Sequence, residues 1–159
     1  MTLSINIRPF RSGDVEPIKE LTAQTFAGVS LEQNVENLLG LLEGHDWRWR
    51  KARHIDDDVA RNPGGIFVAE TEGRIVGYIT TLVDKDAGRG RIPNLAVDPN
   101  FRGNGLGRRL IERALDYFRS VGLCYAMIET MEQNEIGRHL YPSCGFEEVA
   151  RQVHYARKL

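Results

Sequence analysis

Cysteine is scarce in this chain. Among 159 residues only Cys124 and Cys144 occur, too few for a disulfide framework and without the paired spacing of a zinc site. Two buried thiols in a reducing compartment are expected, and no metal. No stretch of about 18 apolar residues is present, and the opening MTLSINIRPF has no apolar core of signal-peptide length. The expectation is a cytoplasmic protein with no membrane partner. An excess of one charge is missing as well: 21 Lys and Arg stand against 22 Asp and Glu, for a net charge of -1. That balance argues against nucleic acid as a partner. Neither an internal repeat nor a low-complexity segment is visible.

What is present suits one globular domain spanning 1–159, with 42% hydrophobic and 27% charged residues. Ile5, Ile7 and Pro9 alternate with polar residues as in a strand that stops at Ser12-Gly13. Val15, Ile18 and Leu21 follow at helical spacing. Ser30 with Gln33 reads as a capping box that opens a second helix, with Leu31, Val35, Leu38 and Leu42 as its stripe and Gly44 as its end. Residues 45–61, HDWRWRKARHIDDDVAR, fit an amphipathic helix with solvated charges, or a lip over a substrate. After the turn Asn62-Pro63-Gly64-Gly65 come IFVAE, GRIVGYITTLVD and RIPNLAVD, an antiparallel meander. A helix carries Leu106, Leu110, Ile111, Ala114 and Phe118. Then CYAMIET reads as a strand, Glu135 to Tyr141 as a short helix, and GFEEVARQVHYARKL as a closing pair of strands. The sum is a mixed α/β sheet with helices on its faces.

The chemistry concentrates in RGNGLGRRL, where Gly103, Gly105 and Gly107 alternate just ahead of the helix. It is not a Walker A loop, which needs Gly-Lys-Ser/Thr, nor the Gly-x-Gly-x-x-Gly of dinucleotide folds. Its physics still favours an anion. Glycines let backbone N–H groups approach closely, the helix N-terminus adds partial positive charge, and Arg102, Arg108 and Arg109 stand nearby.

NLAVDPNFRGNGLGRRLIERAL together with the later NEIGRHLYPSCGF resembles the Gcn5-related N-acetyltransferase (GNAT) family, over roughly residues 91–146. The resemblance implies a mostly antiparallel sheet of about seven strands, splayed between the fourth and fifth. It implies acetyl-coenzyme A as cosubstrate, with no metal. The backbone of Leu95, Ala96 and Val97 would pair with the pantetheine like an added strand. Amides from Arg102 through Gly103, Asn104, Gly105 and Leu106 to Gly107, with Arg108 beside them, would hold the pyrophosphate. Pro93, which has no N–H to give a ladder, suits a disrupted strand.

Acetyl transfer to an amine needs the neutral amine, and an ammonium of pKa about 10.4 is only about one part in 10³ neutral at pH 7. A base is therefore expected. Many relatives place a glutamate where this chain has Asn94, and asparagine takes no proton. On the next strand Tyr125, Met127 and Glu129 share a face by period two. IETMEQNEIGRHLYPSCGF resembles the segment of bacterial ribosomal-protein N-terminal alanine acetyltransferases that holds a base, a cofactor-contacting asparagine and a tyrosine acid. That resemblance maps those roles onto Glu129, Asn134 and Tyr141, with Gly137 leaving room between the last two.

The acceptor is set by the first helices, where the resemblance is weakest. A peptide N-terminus or protein amine is the first expectation and a small-molecule amine the alternative. Trp47, Trp49 and Asp56 to Asp58 are candidates to attract a cationic acceptor. A non-catalytic acyl-coenzyme A-binding relative is a third, opposed by the presence of Glu129 and Tyr141, and a homodimer through the last strands is open.

Overall fold

A computed structural model describes residues 3–159. Along the chain it has β1 (Asn6–Pro9), α1 (Val15–Thr25), α2 (Leu31–Leu39), α3 (Trp47–Arg61), β2 (Phe67–Thr71), β3 (Arg74–Ile79), β4 (Leu82–Asp84), β5 (Arg89–Ile92), β6 (Leu95–Val97), α4 (Leu106–Ser120), β7 (Tyr125–Ile128) and α5 (Glu135–Ser143). Period-two alternation, shifted by one residue at Val76 where the β2–β3 ladder is irregular opposite Ala69 and Glu70, divides the central strands between two cores. Phe67, Ala69, Val76 and Ile79 face α4, which buries Leu106, Leu110, Ile111, Ala114 and Phe118 against them. Val68, Tyr78 and Ala96 face the other way, onto Ile18 and Leu21 of α1 and Ile55 of α3.

Two strands that look continuous in sequence are each broken, at Thr80-Thr81 and at Pro93-Asn94, and the breaks make two sheets. One has the order β1-β2-β3-β6 and the other β4-β5-β7. β5 runs parallel to β7 from Arg89 opposite Tyr125 to Ile92 opposite Ile128. Past Pro93 the chain leaves that partner, and β6 pairs only with β3. The expected splay is this divergence: the fourth predicted strand is β5 and β6 in succession, and only its first half keeps the fifth, β7.

The ladder parity of β6 decides which groups face the gap. Thr80 N–H donates to Asn94 O at 2.9 Å, and Asp98 N–H to Val76 O at 2.8 Å. In an antiparallel pair bonded and non-bonded positions alternate, so Ala96 turns its peptide groups toward Tyr78. Leu95 and Val97 turn theirs into the gap.

Several expectations are corrected. α2 ends at Gly40, where φ is 79°, not at Gly44. Gln33 Oε1 takes the N–H of Gly28 at 2.5 Å instead of closing a capping box, and Ser30 Oγ caps Glu32 N–H at 3.2 Å. Cys124 is exposed because the turn before β7 lies at the sheet edge, and Cys144, at the end of α5, is only half-buried. Residues 147–159 form no strand; Val149, Val153 and Tyr155 stay exposed. A lone hairpin without a covered face is marginal in water, and the one ladder edge it would need, on β7, carries exposed Tyr125 and Met127.

Gly90 sits where β5 crosses α4, and a Cβ there would lie 2.6 Å from the buried Phe118 ring. Gly90→Ala is expected to destabilise the fold by about 1–3 kcal/mol through overpacking, read as a lower midpoint in urea denaturation.

Candidate active site

Between β6 and β7 the gap is bounded on one end by the glycine loop. Gly103 and Gly105 adopt φ of 80° and 75°, open to glycine without strain, and Gly105 stands at the N-terminus of α4. Arg109 N–H donates to Gly105 O. The N–H groups from Gly103 through Arg108 find no acceptor among the described residues. A row of free amides at the positive end of a helix is an anion cradle. The arginines divide their tasks. Arg102 Nε donates to Val97 O at 3.2 Å, at the edge of the gap. Arg108 reaches across to Ser143 O and Oγ at 2.8 and 2.9 Å, and Arg109 to Ile5 O at 2.9 Å. Arg108 thus leaves its amide unpaired while its guanidinium ties α4 to α5.

That tie brings the two sequence motifs together. Gly107 lies so close to α5 that a Cβ would meet Leu140 at 3.0 Å. On α5, Asn134 Oδ1 caps Gly137 N–H at 3.2 Å and Nδ2 donates to Thr130 Oγ1 at 2.8 Å. A Cβ on Gly137 would strike Asn134, Thr130 and Tyr141 at 2.8–3.1 Å, so the space its missing side chain leaves is taken up by the protein's own side chains. Tyr141 packs edge-on to Phe146. Burial pushes its phenol up to about 12, which keeps it protonated at neutral pH, and its hydroxyl makes no hydrogen bond among the described residues. Glu129, just past β7, is exposed and accepts from Arg91 Nε through Oε1 at 2.6 Å, leaving Oε2 free.

The wall opposite is built by α2 and α3. Asn34 and Gln133 exchange side-chain hydrogen bonds at 2.8 and 3.4 Å, so α2 reaches over to the loop after β7. On α3 the spacing of Trp47, Lys51, Ile55 and Asp58 places all four on one buried face. Lys51 Nζ donates to Asn94 Oδ1 at 2.6 Å; Asn94 Nδ2 donates to Asp58 Oδ2 at 2.7 Å; Thr80 Oγ1 donates to the same carboxylate oxygen at 2.8 Å. Burial pulls the Lys51 amine down to about 8, against the opposing charges of Asp58 and Glu32. Burial likewise raises the Asp58 carboxyl, and the hydrogen bonds from Asn94 and Thr80 oppose it.

Sequence reasoning missed Lys51, and it took Asp58 only as one of three aspartates open to a cationic acceptor, where the structure buries it. The signal was there: both recur with Trp47 and Ile55 at spacings of one helical turn. The tryptophans are not free cation traps. Trp47 is buried, and Trp49 is stacked on His45 at 3.5 Å with the Arg53 guanidinium 4.7 Å from its ring. Asp56 is paired with Lys19 at 2.8 Å. Asp57 alone of the three aspartates lines a cleft of about 230 Å³, with Glu32, Trp49, Arg50, Arg53 and His54. A larger cleft of about 440 Å³ lies by β1 and α1. Its Arg8, Asp14, Glu70, Arg74 and Asp98 already neutralise one another in ion pairs. Among the described residues no group of His, Cys, Asp and Glu is placed to hold a metal ion.

The sequence model of the acetyltransferase (GNAT) family matches residues 31–146. Among known proteins, a mycothiol acetyltransferase of Thermobispora bispora is 31% identical over 96% of this chain and 50% of its own length. The chain spans between about a third and a half of the length of the curated relatives it matches first. Of solved structures, the PaiA N-acetyltransferase of Thermoplasma acidophilum in complex with coenzyme A has a TM-score of 0.72 at 20% identity, covering 91% of both chains. The ribosomal-protein-S18-alanine N-acetyltransferase of Escherichia coli has a TM-score of 0.67 at 19% identity, covering 92% of this chain and 80% of that one. At such identities the two structures establish a shared fold.

Asn94, 3% exposed, is the joint between α3 and the start of β6. Asn94→Ala strips a partner from both Lys51 and Asp58 and is expected to destabilise the fold by about 1–3 kcal/mol. Thermal or urea denaturation reads it.

Proposed function

The chain belongs to the acetyltransferase (GNAT) family, and from that premise we propose that it moves the acetyl group of acetyl-coenzyme A onto a primary amine. The observation that carries the donor half is the open edge of β6 running into the unpaired amides of the glycine loop. The pantetheine lies along Leu95 and Val97 as an added strand, bordered by Ala96, whose own peptide groups stay with β3. The pyrophosphate sits on the amides from Gly103 to Arg108, with Arg102 and the start of α4 supplying positive potential. Asn134 holds the first turn of α5 against the same gap. Glu129 takes a proton from the nitrogen as it attacks the thioester, and the Tyr141 hydroxyl hydrogen-bonds the departing sulfur.

The acceptor is a small polar amine that enters by the cleft between α2 and α3. Two observations support it: the cleft is lined by charged side chains of both signs, and relatives named for a small-molecule acetyl transfer align with nearly the whole chain. A peptide N-terminus is the second reading, supported by the spacing of Glu129, Asn134 and Tyr141. A mass-spectrometric acetylation screen over free amines and short peptides decides between them. Peptides alone becoming acetylated overturns the small-amine reading, and no product from either class overturns the transfer itself.

Gly105→Asp places a carboxylate against the pyrophosphate and strains a left-handed position. It is expected to lower acetyl-coenzyme A affinity by at least about tenfold, equivalent to about 1.4 kcal/mol, in calorimetry on a variant whose circular dichroism is unchanged. Unaltered affinity would place the phosphates elsewhere. Glu129→Gln is expected to lower turnover by about 10²- to 10⁴-fold, the usual range for a lost general base, with acetyl-coenzyme A affinity kept. Steady-state kinetics beside calorimetry separates the two effects.

A further inference from the structure

Acetyl transfer to an ammonium removes two protons from the nitrogen, and Glu129 is assigned above only the one lost as the nitrogen attacks. The nitrogen arrives with three hydrogens and leaves as an amide with one. The sulfur of coenzyme A keeps one of the two lost protons as its thiol, and the other goes to solvent. The proton bound for solvent must leave first, because the lone pair it exposes forms the new C–N bond.

A chain of groups that take no part in the proton steps above runs from the break before β6 to the surface. Lys51, 9% exposed, holds Asn94 Oδ1 at 2.6 Å and lies 4.2 Å from the Phe26 ring. Its Nζ is 3.5 Å from His54 Nδ1, and His54 Nε2 is 3.1 Å from Glu32 Oε1. His54 and Glu32 both line the solvent-open cleft. With Nε2–H donating to Glu32, His54 presents an unprotonated Nδ1 to Lys51.

We propose that Lys51 accepts this first proton: an N–H bond of the acceptor ammonium breaks toward the Lys51 Nζ lone pair, the acceptor keeps the electron pair, and Lys51 passes a proton through His54 to Glu32 and solvent. The inference rests on the reading of amine acetylation above. Lys51 suits the task because burial outweighs its carboxylate neighbours and brings it to about 8, leaving about one amine in ten neutral at pH 7 rather than one in 10³. The charged and titratable groups that face it are Asp58 and His54 of α3 and Glu32 of α2. Asn94, Thr80 and Phe26 bring no charge, and Tyr78, beyond Asp58, is pushed upward by burial and stays neutral. Asparagine at position 94 fits this scheme, since a glutamate there would pair directly with Lys51 and hold it protonated.

The test compares the unaltered protein with Lys51→Met and Lys51→Arg. Transfer from acetyl-coenzyme A is measured between pH 6 and about 10.5, near an alkyl ammonium's own pKa, with the best acceptor among n-butylamine, ethanolamine and an alanyl tripeptide. Lys51→Met is expected to lower kcat/KM at pH 7 by about 10²-fold with acetyl-coenzyme A affinity unchanged in calorimetry, the deficit shrinking as the acceptor deprotonates unaided. Lys51→Arg keeps the cation but cannot give up its proton, and is expected to be as slow as the methionine variant. In parallel, acetylation of Lys51 by acetic anhydride, followed by mass spectrometry, should have its midpoint near pH 8. Rescue by arginine, a deficit equal at every pH, or a labelling midpoint near the ordinary lysine value of about 10.4 overturns the proposal while amine transfer stands. An unaltered protein that acetylates none of the three probes removes the parent reading, and this one with it.

Discussion

The structure depends on one interruption, at Pro93-Asn94. Proline brings no N–H to the ladder, and the next residue turns its amide groups onto Thr80, Lys51 and Asp58. β5 therefore stays with β7 while β6 departs with β3. A continuous strand would have closed the sheet. Broken, it leaves β6 with an unpaired edge that ends in the loop whose amides have no acceptor among the described residues.

The same residue joins the gap to the helices that cover it. α4 sits on one side, carrying the anion cradle on its N-terminus and the main core on its flank. α1 and α3 sit on the other, and α3 sends a lysine and an aspartate inward to meet Asn94. Burying two charges on either side of an amide is unfavourable unless each is hydrogen-bonded, and here Asn94 and Thr80 supply the bonds. The unfavourable remainder appears as displaced proton affinities, upward for Asp58 and downward for Lys51. Stability and proton chemistry thus draw on the same contacts.

Much of the donor side was legible in the sequence because its signals are local. Alternating glycines ahead of a helical stripe require a backbone-lined loop and a helix N-terminus whatever surrounds them, and the stripe from Leu106 to Phe118 is buried as its spacing demands. Gly137 between Asn134 and Tyr141 likewise reports a close contact within one helix. The strand breaks and the tail were less legible. Thr80-Thr81 carries no turn residue, and the alternation of Val149, Val153 and Tyr155 resembles a strand although nothing in the fold covers it.

The wall built by α2 and α3 was the least legible part. Lys51 and Asp58 stand in a run of charges, HDWRWRKARHIDDDVAR, whose helical character is plain but whose buried face is not. Composition, periodicity and the glycine loop determined by themselves a mixed α/β sheet flanked by helices, with a glycine-lined loop at a helix N-terminus. Only the tertiary structure decided that Lys51 would be desolvated beside Asn94, that Trp49 would stack on His45 with Arg53 over its ring, and that Glu129 would remain at the surface against Arg91. The reason is that hydrogen bonds along a helix or within a loop are set by neighbours in sequence. The loss of water around a charge is set by whichever distant segment folds over it.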